Sequence, residues 1–145
     1  MSEKLSQADF YQLVDTADTA RLKLVCRLAS KAFEAKQSLY IHCADSTEAQ
    51  ILDDLLWTFH DVGFIPHAQV GTPHAKDATI LIGTELPPQP TDILLDLHTA
   101  VSDAAKNYKR IIEVVAANDD ARKIASEHEK IYAGWNKKII KHEIK

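Results

Sequence analysis

The sequence predicts a single α/β domain, residues 1–145, with a largely parallel central sheet flanked by helices. Three observations carry this. Short, nearly continuous apolar runs such as "SLYIHCA" (residues 38–44) suit strands covered on both faces. Between them, apolar residues recur at three- and four-residue steps, the period of an amphipathic helix. The two kinds of segment alternate through the first half of the chain, as in βαβ units. Hydrophobic residues make up 46% of the 145 positions, enough for one core, and no linker, repeat or low-complexity stretch divides them.

Taken in order, "DFYQLV" (residues 9–14) reads as a first strand, rich in aromatic and branched residues. The segment 15–37 reads as a helix with Leu22, Val25, Leu28, Ala29, Ala32 and Phe33 on one stripe. Asp15, Thr16 and Asp18 are its candidate caps. The run 38–44 is a second strand. Asp45, three residues before Glu48, then forms a capping-box-like start for a helix carrying Ile51, Leu52, Leu55, Leu56 and Phe59. "DATILIG" and "TDILLDL" read as two more strands around a proline-rich loop, and "RIIEVV" (residues 110–115) as a fifth. Asn118 or Asp119 caps a last helix whose stripe is Ala121, Ile124, Ala125, His128, Ile131, Tyr132 and Trp135.

One stretch fits this scheme awkwardly. "LLWTFHDVGFIPHAQVG" (residues 55–71) crowds Leu55, Leu56, Trp57, Phe59 and Phe64 around a helix end and the loop after it. A surplus of this kind is either core or a partner surface, because exposed Trp and Phe are enriched at binding hot spots.

The chemistry the fold could carry narrows quickly. The net charge of −4 argues against a broad basic face for nucleic acid. The apolar runs are too short to span a membrane, and the opening "MSEKLSQADF" lacks an apolar signal core. Cys26 and Cys43 fall in an expected helix and strand, so a disulfide framework is not expected and a reducing cytoplasm is. A dinucleotide site needs glycines after the first strand; here the turn reads "DTADTA", and no Gly-Lys-Ser/Thr phosphate loop occurs. His60, His67 and His74 are interrupted by Pro66 and Pro73, and no metal-binding spacing is present. No cofactor or metal is expected. An enzyme reading would have to use Cys43, at the end of a strand, with Asp96 and His98, two residues apart on another.

The same segments resemble a known family. "DFYQLVD", then "SLYIHCADSTEAQILDDLLWTFHDVGFIPHA", "ATILIG", "TDILLDL", "RIIEVV" and a last helix with Tyr132 are similar, in order and spacing, to the chi subunits of bacterial DNA polymerase III holoenzyme. The most specific feature is Leu56-Trp57 followed by Phe64-x-Pro66-His67. The resemblance covers nearly the whole chain. It implies a non-catalytic adaptor in DNA replication, with a fold like a nucleotide-binding domain that lacks the phosphate loop. The implied partners are the psi subunit of the clamp loader and the acidic C-terminal tail of single-stranded-DNA-binding protein, with DNA reached only through them. Trp57, Phe64 and Pro66 match positions of the psi-facing region. For the tail, the family pattern Ala-Arg-x-Arg-x-x-x-Tyr-Arg falls on residues 125–133, where this chain keeps Tyr132 but has Ser126, His128 and Ala133 in place of the arginines. Tyr132 is expected as pocket wall, with His128 and Lys130 as cations and Arg122 and Lys123 nearby.

Overall fold

The computed structural model describes residues 6–14, 18–58, 67–69, 79–87 and 89–144. Its strands are β1 (Gln7–Leu13), β2 (Leu39–His42), β3 (His67–Gln69), β4 (Ile80–Gly83), β5 (Ile93–Asp96), β6 (Arg110–Val115) and β7 (Lys138–Ile144). They form one sheet in the order β3-β4-β2-β5-β6-β1-β7, and every pairing in it is parallel. The helices are α1 (Asp18–Glu34), α2 (Ser46–Thr58) and α3 (Asp119–Gly134), with a short 3-10 helix at Asp103–Asn107.

The sheet is covered on both sides, as its uninterrupted apolar strands require. Leu39, Ile41, Ile80, Ile82, Leu95 and Ile112 point to one face, where α1 and α2 pack. Phe10, Tyr40, Leu94 and Ile111 point to the other, beneath α3 and the 3-10 helix. Of the stripe expected for α1, Val25, Leu28, Ala29 and Ala32 are buried and Leu22 and Phe33 half-buried, and Leu24 is buried with them.

Helix ends follow local chemistry. Asp45 Oδ1 accepts from the Glu48 amide at 2.8 Å, and the Glu48 carboxylate reaches back to the Ala44 amide at 2.9 Å, one residue beyond the usual reciprocal bond of a capping box. Asn118 caps α3, accepting from the Ala121 amide at 2.8 Å. Beyond α3, Asn136 takes φ 64°, the left-handed turn that asparagine tolerates best after glycine. The candidate caps Asp15 and Thr16 lie outside the described residues, as do Phe59, His60, Phe64, Pro66 and His74.

Three elements are additions to the sequence expectation. β3 has three residues and β7 alternates half-buried and exposed positions, "KIIKHEI", so neither forms a fully apolar run. Both are edge strands, where one side faces water. The 3-10 helix is too short for periodicity to show.

Candidate functional site

Trp57 stands in the last turn of α2. Ala49, Leu52 and Leu56 are the residues of α2 that turn fully inward, and Leu55 packs against the same core in part. Trp57 falls off that stripe and is 58% exposed. Its ring meets the edge of His67, with centroids 4.9 Å apart and planes at 61°. His67 is buried on β3, the outermost strand, with Nε2 3.2 Å from the Asp53 carbonyl oxygen and 3.3 Å from its carboxylate. The Trp57 indole is thus mounted on a fixed support at one edge of the sheet.

The last helix is arranged differently from the expectation. His128 and Tyr132 are 4% and 0% exposed and face the sheet, not solvent. Positions 125, 128 and 132 share one side of the helix at steps of three and four. Lys130 lies off that side and is exposed. His128 Nδ1 sits 2.9 and 2.7 Å from the two Glu113 oxygens, its Nε2 lies 2.9 Å from the Thr99 carbonyl oxygen, and Tyr132 donates to Glu113 at 2.5 Å. Tyr132, expected as a pocket wall, and His128, expected as a cation, are thus both engaged inside the protein. The sequence already carried the signal, since both belong to the apolar stripe of α3.

The His128 ring faces oxygen on both nitrogens, and a carbonyl can only accept. Burial alone would lower its pKa, but the hydrogen bond to Glu113 and that carboxylate's charge outweigh burial and raise it. Burial also pushes the Glu113 carboxyl up, against the pull of His128. Both shifts mean that the pair holds its shared proton to higher pH. A second imidazole repeats the arrangement: His42 Nδ1 lies 3.1 Å from Asp96 Oδ1 and its Nε2 3.1 Å from the Thr84 carbonyl oxygen. Its pKa is raised by Asp96 in spite of burial.

Cys43, Asp96 and His98 do not converge. Cys43 belongs to the core under α1 and α2. Asp96, two positions beyond Leu94 on its strand, points to the α3 face with His42. Asp96 accepts from the His98 backbone amide at 3.0 Å, and the His98 ring stacks on His42 with centroids 5.0 Å apart. Burial, reinforced by Glu48, pushes the Cys43 thiol up to about 12, which disqualifies it as a nucleophile near neutral pH. Among the described residues no group of three or more His, Cys, Asp and Glu side chains is placed to hold a metal, and no helix is long and apolar enough to cross a membrane.

A groove of about 280 Å³ opens beside α3, where β1, β6 and β7 end. Val14 and Val115 give it apolar surface, Arg122 and Lys141 bring cations, and Ser126 lines it with Glu129. Val14 is 57% exposed, and Lys141 pairs with Glu129 at 3.2 Å.

The sequence matches the family described as "DNA polymerase III chi subunit, HolC" over residues 5–139. The chain belongs to the DNA polymerase III chi subunit family. Its relatives in that family include the DNA polymerase III subunit chi of Pseudomonas aeruginosa, 31% identical over 129 residues, which span 88% of this chain and 89% of that protein. The subunit chi of Escherichia coli (strain K12) is 29% identical over 140 residues, 91% of this chain and 95% of that protein. The subunit chi of Haemophilus influenzae is 26% identical over 133 residues, 89% and 92%. Membership in the chi family assigns the chain an accessory role in DNA replication, within a complex of polymerase III subunits.

Proposed function

We propose that the chain is a non-catalytic adaptor of the cytoplasmic replication machinery that joins the psi subunit of the clamp loader to the C-terminal tail of single-stranded-DNA-binding protein. The observation that carries the reading is Trp57. A helix that buries Leu52 and Leu56 completely leaves its largest side chain facing outward at the sheet edge, against the ring of His67. Trp57 would anchor psi together with Phe64 and Pro66, which lie outside the described residues. The tail would enter the groove beside α3, with its terminal phenylalanine on Val14 and Val115 and its carboxylate toward Arg122. Ser126, which occupies the first of the family's arginine positions, lines this groove. The second position is His128, held on Glu113. The groove therefore has fewer free cations than the family pattern offers, and weak, salt-sensitive binding follows.

The test is titration of purified psi into the wild-type chain and Trp57→Ala by calorimetry, with thermal melts alongside. Because Trp57 is more than half exposed, the variant should melt within a few degrees of wild type while psi affinity falls by about 2 kcal/mol or more. Unchanged affinity in a folded variant would remove Trp57 from the interface.

A further inference from the structure

Two segments far apart in sequence meet at the N-terminal ends of the strands: residues 106–110, "KNYKR", and 135–138, "WNKK". Together they contain five of the chain's 17 Lys and Arg residues and none of its 21 Asp and Glu residues. In a chain of net charge −4, this is a local concentration of the minority sign. The fold brings the segments together directly. Lys137 is 5% exposed, and its Nζ donates to the carbonyls of Tyr108 at 2.6 Å and Lys106 at 3.3 Å. Ser6 and Gln7 are stitched between Lys138 and Lys109 by backbone bonds of 2.9 and 2.8 Å. Arg110 and Lys138 each pair with Gln7, on opposite sides of β1, so their Cα atoms are about 10 Å apart.

One of the five cations is neutralised: Arg110 is held by Asp9 at 3.2 Å. Lys106, Lys109 and Lys138 are exposed, and among the described residues no carboxylate pairs with them. Lys137 has carbonyl partners only, and burial lowers its pKa, the state a nearby anion would relieve. Trp135 closes the rim. It follows α3, packs on Tyr132 with centroids 5.7 Å apart, and is half-buried. Unpaired cations at the same end of the sheet as a supported, half-buried indole are a combination that can hold single strands: phosphates on the cations, a base on the ring. A peptide with acidic side chains alone would use the cations and leave the indole idle.

We propose that this rim, formed by Lys106, Lys109, Lys138 and Trp135 and braced from beneath by the buried Lys137, is a direct contact site for the backbone and one base of a single-stranded nucleic acid. It lies at the opposite end of the strands from the tail groove, and it stands or falls independently of the adaptor reading.

The experiment uses fluorescence anisotropy of a labelled oligothymidylate of about 20 nucleotides, longer than one site, with the full chain at several salt concentrations. Three phosphate contacts on a single strand give a log–log salt slope of about −2, a loss of about 16-fold between 50 and 200 mM salt. Lys109→Glu with Lys138→Glu should weaken binding at least tenfold at low salt and flatten the slope, whereas the same charge change on α1, Lys23→Glu with Lys31→Glu, should alter it less than threefold. Should the glutamate pair misfold, Lys109→Gln with Lys138→Gln removes the charge without reversing it. Stacking has its own readout. In Trp57→Phe, Trp135 is the sole tryptophan, and its emission should be quenched by the oligothymidylate or by an oligouridylate, but not by polyglutamate of equal charge. Quenching by either nucleic acid supports the site, and the stronger of the two identifies the sugar. Equal losses from the rim and α1 pairs, or equal binding of polyglutamate with no quenching, would overturn the proposal.

Discussion

Replacing His128 with leucine tests the buried cluster beneath α3. Leucine fills most of the ring's volume, so the change isolates the polar contacts. It leaves the Glu113 carboxylate, 6% exposed, with Tyr132 as its remaining side-chain donor, and the Thr99 carbonyl without the Nε2 proton. Breaking a buried pair by removing one partner costs about 3–5 kcal/mol. For a chain of 145 residues that corresponds to a melting point lower by about 10–16 °C. Removing both partners, as His128→Leu with Glu113→Met, should restore much of the loss, because an apolar pair needs no compensation. The cycle of single and double variants should yield a coupling of about 2 kcal/mol or more. The pH dependence has a definite sign. The folded pKa of His128 is raised, so its stabilising contribution is complete below about 6.5, the unfolded value, and is lost as pH rises through the folded value. Wild type should lose its advantage over the double variant along that alkaline limb. Chemical denaturation at pH 6, 7.5 and 9 measures it. A His128→Leu cost below about 1 kcal/mol, or a wild-type advantage that grows with pH, would refute the assignment of an imidazolium bridging Glu113 and Thr99.

Three further outcomes are expected. A peptide copy of the single-stranded-DNA-binding-protein tail should bind with a Kd weaker than about 1 µM at physiological salt, a free energy smaller than about 8 kcal/mol; anisotropy should show loss on Val14→Asp, Arg122→Glu or C-terminal amidation, and insensitivity to all three would clear the groove of this role. Cys26 and Cys43, whose thiols burial holds at about 11 and about 12, should resist a thiol reagent at pH 8 until denaturant is added; fast labelling in the native state would contradict their burial. ATP, GTP and NAD should give no saturable thermal stabilisation, as expected without a glycine-rich phosphate loop, and a specific shift abolished by Asp96→Asn would reopen the enzyme reading.

The layered fold was legible because buried parallel strands are largely apolar: β2 and β5 have all four residues buried, and each is apolar except for its last residue, His42 and Asp96, which pair with each other. The edges were not, for the same reason in reverse. β7 keeps Lys138, Lys141 and Glu143 in solvent, and its pairing with β1 along seven residues rests on backbone bonds that composition does not register. The aromatic surplus around Leu55–Phe64 was visible as a surplus; which member turned outward depended on helix phase, and that assigned Leu52 and Leu56 to the core and Trp57 to the surface. The family pattern pointed to side chains of α3 that face inward. His128 and Tyr132 read as a site when aligned by motif and as core when counted by helical period, and for their orientation the period prevailed.

In open parallel sheets the crevice at the carboxyl ends of the strands is the usual place for a ligand. Here the groups that would grip one are engaged with the protein itself. His42, at the end of β2, joins Asp96 to the Thr84 carbonyl. His128, reaching over β6, joins Glu113 to the Thr99 carbonyl. Tyr40, beneath them, donates its hydroxyl to the Glu85 carbonyl. Each bond fastens a loop that follows a strand, so polar side chains that could orient a substrate act as loop clamps. The opening of about 300 Å³ left between these loops is lined by the His42 and His98 rings, Leu86 and Val101, with the proton-bearing nitrogens of His42 already committed. A sheet closed in this way at its customary binding end presents its remaining chemistry at the periphery: an indole at the β3 edge, a cation-flanked groove by α3, and a lysine rim at the opposite ends of the strands.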